Sequence, residues 1–385
     1  MRRFICFFAA LMLLQSSCFA FTDEDYWVVE DEEDQVINPN DQARGIMRGM
    51  TVEEKIYQLF IVCPEDLTGE DRTTAWPKEN PLLSYPVGGV MIFGQNIVSE
   101  DQIRSLAENL YLDAIQADVF TPFLAVDEEG GTVSRVANKL GYPFAMPPGK
   151  MGKLKQPQLA REAGTQIAGY LKPLGFNLDF APVSDVLVAD APEIGDRAYG
   201  KDASLVTEYS LAMAQGLREG GIIPCFKHFP GHGAVTGNTH NGKALSRRTA
   251  EQMASAEWIP YAAGIEEGIE MIMISHLTAQ ELDKTAPSSL SKTVIQHLLR
   301  DQMGYNGVVV TDALRMEAIV ENYDSDEAAV LAIQAGADLL LLPNNFKKAV
   351  EGIRKAVAQG DISMARLDES VERILALKIQ YGLIQ

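Results

Sequence analysis

Apolar runs recur along this chain and alternate with stretches whose apolar positions fall three and four residues apart. The runs are Lys55–Val62, Gly88–Phe93, Pro122–Asp127, Asn177–Val186, Ile222–His228, Met271–His276, Gly307–Asp312 and Ala337–Leu342. Most are near-continuous rather than alternating, as expected of strands buried on both faces. Between them the period changes to that of an amphipathic helix. In Asp101–Ala117 the apolar residues are Ile103, Leu106, Leu110 and Ile115, and Ser99 stands nearby as a capping residue. Gln158–Tyr170, Asp202–Glu219, Thr249–Glu267, Lys292–Met303, Asp324–Ala335, Lys347–Gln359 and Met364–Tyr381 behave alike. Strands alternating with helices to the end of the chain predict an α/β fold, a single-domain (β/α)8 barrel over 42–385. A doubly wound open sheet is the competing architecture, because a strand count does not show closure.

The chain ahead of that pattern reads differently. Arg2 and Arg3 precede an apolar run, Phe4–Leu14, and the segment closes Cys18-Phe19-Ala20. A charged start, an apolar middle and a small-residue end predict a secretory signal over 1–20, hence an exported protein, periplasmic or extracellular. A lipid anchor at Cys18 is the lesser alternative, since Gln15 stands where an aliphatic residue is expected. The run is short for a membrane span. Residues 21–41 are acidic and unpatterned, as in a loosely held arm.

Cleavage would leave two cysteines, Cys63 and Cys225, both in apolar runs and read as buried free thiols in preference to a disulfide. The formal charge of −20 argues against nucleic acid and anionic membranes as partners. No metal-ligand spacing occurs, no cofactor is expected, and the protein is expected to be a monomer.

In a barrel the chemistry lies at the carboxyl ends of the strands, and polar residues crowd those ends here. The third run ends at Asp127, followed by E-E-G-G. The fourth carries Asp179 and Asp185, and its loop continues to Arg197. The fifth ends K-H-F-P-G-H-G, the sixth at His276, the seventh at Asp312. Strand-end caps account for one or two such residues, not for five strands. Cys225–Gly242 alone holds three of the five histidines.

Asp312 closes a rigid apolar run and is the candidate nucleophile, a carboxylate being the usual attacking group in retaining glycoside hydrolysis. Its bland alternative is an N-cap for the next helix. His240, on the polar loop after the fifth run, is the candidate acid/base, because imidazole both donates and removes protons near neutrality. Its bland alternative is an exposed loop histidine.

K-H-F-P-G-H-G at 227–233 followed by N-T-H at 238–240, A-V-D-E-E-G-G-T-V-S-R at 125–135 and G-V-V-V-T-D-A-L at 307–314 together resemble the signatures of family 3 glycoside hydrolases. More narrowly they are similar to its β-N-acetylhexosaminidase branch. The resemblance runs from about Thr51 to Tyr381 in the family's order. It implies a retaining double displacement with Asp312 as nucleophile and His240 as acid/base. It also implies a sugar subsite of Asp127, Arg135, Arg197, Lys227 and His228, with His228 and His232 shaping the base of the loop. His276 matches a position near the sugar, although a packed histidine explains it equally well.

One departure stands out: Asn238 occupies the place of an Asp that normally supports the acid/base imidazole. Asn still accepts a hydrogen bond but brings no charge, so the imidazolium loses support. Asp185 or Asp196 could substitute. The expected function is a retaining β-N-acetylglucosaminidase acting on peptidoglycan-derived or chitin-like sugars. The alternatives are a β-N-acetylglucosaminide phosphorylase on the same scaffold, or a catalytically weakened sugar-binding barrel.

Overall fold

The apolar runs fold into eight parallel strands: β1 Phe60–Val62, β2 Gly89–Met91, β3 Phe123–Val126, β4 Leu178–Asp179, β5 Ile223–Phe229, β6 Met271–Ile274, β7 Val308–Thr311 and β8 Leu340–Leu341. The computed structural model describes residues 38–189, 191–235 and 244–384. The expected signal segment, most of the acidic arm, Asn238 and His240 therefore lie outside the described residues.

The strands are hydrogen-bonded in the order β7-β6-β5-β4-β3-β2-β1-β8. A parallel bridge between Val310 and Leu339 joins the two ends of that order. The sheet is thereby nearly closed as a barrel, and helices surround it. Closure rather than an open doubly wound sheet is what the strand count alone left undecided. Parallel strands need crossover connections, and helices returning over the outer face bury both faces of each strand. That is why every residue of β1, β2, β3, β5, β6 and β7 is buried.

The expected helices are present, with two local differences. Lys55–Gln58, read as the start of the first strand, belongs instead to the helix Val52–Gln58. Thr51 accepts from the Glu54 amide and the Glu54 carboxylate accepts from the Thr51 amide, a capping box that fixes the helix start. The stretch Thr249–Glu267 is two helices, Ala250–Ala254 and Ile259–Glu266. Pro260 lies in the first turn of the second, where its missing N–H costs nothing but the first helix cannot run through it. Ser99 does cap the helix Glu100–Gln116, accepting from the Gln102 amide.

A first helix, Pro39–Met47, starts at the capping residue Asn38, inside the stretch assigned to the arm, and Arg44 ties it to Glu372 at 2.7 Å. No helix among the described residues is long and apolar enough to cross a membrane. Cys63 and Cys225 are buried free thiols.

The amino-terminal ends of the strands are sealed by buried ion pairs. Asp338, just before β8, accepts from Arg300 (2.5 Å), the Val309 amide (2.9 Å), Ser370 (2.8 Å), Arg373 (3.2 Å) and Arg366 (3.4 Å). Glu270, just before β6, takes a two-pronged Arg218 (2.7 and 2.8 Å) and the Tyr381 hydroxyl (2.6 Å). Lys378 is fully buried, with its ammonium 2.8 Å from Gln58 Oε1 and over the Phe123 ring.

Candidate active site

At the other end of the barrel, β5 runs into the K-H-F-P-G-H-G turn. Its pairing with β6 slips by one residue between Phe226 and Phe229. A bulge of this kind re-aims side chains beside a site. Here it lets two consecutive residues, Lys227 and His228, both make buried contacts at the mouth. Lys227 Nζ lies 2.8 Å from Asp127 and 2.6 Å from Glu129. His228 Nδ1 donates to Asp185 at 2.8 Å, and its Nε2 faces the Arg197 guanidinium at 3.5 Å.

Asp127 follows β3, and Glu128–Gly130 pairs with Val133–Ser134 in a tight hairpin. Glu129 is 2% exposed and takes both Lys227 and a two-pronged Arg197, at 2.8 Å on each oxygen. Burial alone would raise the Glu129 pKa, but Lys227 and Arg197 hold it far below the usual carboxylate range. The same carboxylates hold Lys227 above the usual lysine range against the opposing pull of burial.

Behind this ring Glu128 accepts from the amides of Val136 and Ala137 and from the Tyr170 hydroxyl. It thereby fixes the helix Arg135–Leu140. Arg135, at the start of that helix, lines a recess of about 300 Å³ with Gln95, Thr132 and Lys139. Its Nε is buried with no partner among the described residues. Asp179, at the end of β4, accepts from the Glu128 amide and is fully buried. Burial pushes its pKa well up, with the charge of Glu128 adding to the effect.

Asp185 has a structural task. Its two oxygens accept from the amides of His228 (3.3 Å) and His232 (2.6 Å) as well as from the His228 ring. Asp196, the other proposed stand-in for the carboxylate missing at Asn238, is exposed and 3.9 Å from Lys153. Two glycines let the turn pass. A side chain on Gly233 would meet the Val186 carbonyl at 2.0 Å. Gly231, at φ +128, would meet Glu257 at 2.6 Å. His232 is buried, with its Nε2 3.9 Å from Glu193. Burial and the nearby charge of His228 lower its pKa.

Asp312 follows β7. Its amide donates to the Ile274 carbonyl, which locks the residue against β6. Among the described residues its carboxylate accepts one hydrogen bond, 2.7 Å from the Ala313 amide. The next helix, Glu317–Val320, is preceded by Met316, so Asp312 is not its cap. Burial works to raise the Asp312 pKa, yet the positive field of His276, His228 and Lys227, with the Ala313 hydrogen bond, holds it below the usual value. A carboxylate held ionised at a strand end in the field of nearby positive groups has the chemistry to act as a nucleophile.

His276 is 2% exposed. Its Nε2 donates to the Ala313 carbonyl at 2.9 Å and its Nδ1 shares a hydrogen bond with Ser289 at 2.7 Å. It therefore steadies the backbone beside Asp312.

The structure thus gathers Asp127, Arg197, Lys227 and His228 into one charge network, with Arg135 on the adjoining hairpin–helix and His276 behind Asp312. Glu129 is the member the sequence reading passed over. Its signal was the i, i+2 spacing from Asp127, which puts two acids on one side of an extended segment.

Residues 51–377 match the glycosyl hydrolase family 3 N-terminal domain. Beta-hexosaminidase LpqI of Mycobacterium tuberculosis is 32% identical over 352 residues, covering 88% of this chain and 85% of that protein. A beta-hexosaminidase of Methylobacillus flagellatus is 36% identical over 272 residues, covering 69% of this chain and 76% of that one. Among solved structures, a glycoside hydrolase family 3 beta-N-acetylglucosaminidase from Paenibacillus sp. str. FPU-7 superimposes with a TM-score of 0.82 at 32% identity. The match covers 87% of this chain but 63% of that one, just under two thirds of its length.

Proposed function

This chain belongs to glycosyl hydrolase family 3 and is a glycoside hydrolase, and from that premise we propose that it is a retaining β-N-acetylglucosaminidase working through a glycosyl ester on Asp312. One observation carries the reading. Asp312 is held ionised at the end of β7 with a single hydrogen bond among the described residues, while two of the positive groups around it, Lys227 and His228, are committed to other carboxylates.

In the first step an Asp312 oxygen attacks the anomeric carbon of the terminal sugar. The glycosidic C–O bond breaks, and the departing oxygen takes a proton from His240. In the second step water attacks the same carbon and gives its proton to His240, and the ester bond to Asp312 breaks. Asp127, Arg135, Arg197, Lys227 and His228 hold the sugar. Lys227 and Arg197 are clamped by Glu129, so they reach the substrate without losing rotamer freedom on binding. His276 acts through the Ala313 carbonyl.

The substrates are peptidoglycan-derived or chitin-like saccharides ending in N-acetylglucosamine. Relatives named beta-hexosaminidase and the Paenibacillus neighbour support that choice of sugar. Export rests on the segment Arg2–Ala20.

Wild type, Asp312→Ala and Asn238→Asp are to be assayed on aryl N-acetylglucosaminide and aryl glucoside, with and without phosphate. The expected pattern is hydrolysis of the first substrate only, independent of phosphate. Asp312→Ala should be inactive, and Asn238→Asp should work faster on poor leaving groups. Activity retained in Asp312→Ala contradicts the assignment, and sugar 1-phosphate formed only in phosphate selects the phosphorylase.

A further inference from the structure

Three acids stand in a row after β3, and the ring around Lys227 uses only the outer two. Alternate side chains of an extended segment face opposite ways, so Asp127 and Glu129 meet Lys227 while Glu128 turns to the other side. Glu128 is 0% exposed. Its amide donates to Asp179 at 2.9 Å, which ties the backbone beside Asp127 to the end of β4. Its carboxylate crosses the hairpin to the helix Arg135–Leu140. There Oε2 accepts from the Val136 amide at 2.7 Å and Oε1 from the Ala137 amide at 3.1 Å.

The first amides of a helix need acceptors from outside it. The usual supplier is the side chain of the residue before the helix, but Ser134 makes no such bond. Its hydroxyl donates to the Gly131 carbonyl instead. Glu128 does the capping from the far strand of the hairpin. Tyr170, on the helix Gln158–Leu171, holds that carboxylate in turn. Its hydroxyl donates to Oε1 at 2.8 Å, and its ring stacks on Tyr142 with centroids 4.9 Å apart. Arg135, the first residue of the capped helix, makes no ion pair among the described residues, so the start of its helix is what sets its place.

We propose that Glu128, braced by Tyr170, is a positioning residue that sets where Arg135 stands relative to Asp127, so that the two meet the sugar as one preformed unit. The inference rests on the reading of Asp127 and Arg135 as sugar-binding residues. Glu128 acts through the helix start and does not touch substrate. Changing its side chain leaves Asp127 in place, because Asp127 is held by Lys227 and the Glu128 amide by Asp179. The effect therefore falls on Arg135 and on binding rather than on the bond-breaking step.

The test compares wild type, Glu128→Gln, Arg135→Met, Lys227→Met and the two double variants that join Glu128→Gln to each of the others, all as full chains. The readouts are kcat and KM on aryl N-acetylglucosaminide and Kd for N-acetylglucosamine by calorimetry. A glutamine keeps one acceptor but turns an NH2 group toward a donor, so the clasp opens with little change of volume. Arg135→Met should raise KM and Kd by roughly 10- to 100-fold. Glu128→Gln should raise both by about 10-fold or more, with kcat within about 3-fold of wild type. Joined to Arg135→Met it should add nothing further. Joined to Lys227→Met its factor should multiply in full, because Lys227 is held by Asp127 and Glu129. Factors that multiply in both double variants, or unchanged KM and Kd in folded Glu128→Gln, overturn the proposal. If Glu128→Gln does not fold, Tyr170→Phe gives the same comparison with a smaller factor. Wild-type Kd in Arg135→Met removes the sugar contact and overturns the proposal with it. The Kd readout does not use Asp312, so activity retained in Asp312→Ala sinks the nucleophile reading and leaves this comparison intact.

Discussion

Asp312 and Asp338 stand at opposite ends of neighbouring strands, and their surroundings could hardly differ more. Asp338, below β8, accepts from three arginines, a serine and a backbone amide. Asp312, above β7, accepts from one amide among the described residues and remains partly exposed to the mouth. Both have pKa values held down against burial, by contacting arginines in one case and by cations at a distance in the other. A buried carboxylate with every lone pair engaged is a structural staple. One that is ionised but sparsely bonded is available to react.

Exchanging the pair's functions is therefore the strongest way to break the comparison. Asp312→Asn should lower kcat/KM by roughly 10⁴ or more while leaving the urea midpoint close to wild type. Asp338→Asn should do the reverse. It strands Arg300, Arg366 and Arg373 around a neutral group, at about 3–5 kcal/mol of stability, and the molecules that remain folded should turn over normally. A large stability loss in the first variant, or a large activity loss per folded molecule in the second, would blur the distinction.

Within the mouth the contrast sharpens again between groups proposed to hold the sugar and those proposed to react. Lys227→Met removes the cation shared by Asp127 and Glu129. Losing charged hydrogen bonds of about 1.5–3 kcal/mol should raise KM by roughly 10- to 100-fold, with a smaller change in kcat.

pH separates the two ends of the barrel more gently. Asp185, Asp312 and Asp338 all have folded pKa values below their unfolded ones. Each contributes stability that is fully present above the unfolded value and is lost as pH falls through the folded one. Asp312 therefore stays ionised across the neutral range, and the acid limb of kcat/KM should not move with it.

Lys378 has the same sign in a higher pH window at the bottom of the barrel, where burial pushes its pKa down to about 7. Above that pH the folded protein has released a proton that the unfolded chain keeps until its own pKa near 10.4, so stability rises with pH between them. Urea unfolding of wild type against Lys378→Met should show a difference that grows by roughly 1.4 kcal/mol per pH unit from about 7 upward in favour of wild type. A difference independent of pH would mean that Lys378 stays charged.

Much of this was legible in the sequence because burial on both faces writes itself as an unbroken apolar run. Seven of the eight strands lie inside predicted runs and β5 outruns its own by one residue, Phe229, and Asp127, Lys227 and Asp312 could be placed at strand ends from that pattern alone. Three things were not legible. The slip of β5 that brings Lys227 and His228 together depends on pairing with β6, which no local pattern encodes. Asp185 looked like a spare carboxylate because its partners, the His228 ring and the His232 amide, are more than forty residues away in sequence. Lys55–Gln58 read as strand because an apolar tail beside β1 hid the Thr51–Glu54 capping signal.

The central claim is that Asp312 becomes covalently bonded to the sugar. It is tested most directly by incubating the full chain with a fluorinated N-acetylglucosaminide whose second step is slow, then measuring intact mass and digesting. The account predicts a stoichiometric gain of one sugar residue, located on Asp312 and absent from Asp312→Asn. Steady turnover with no adduct, or an adduct on any other carboxylate, would contradict it.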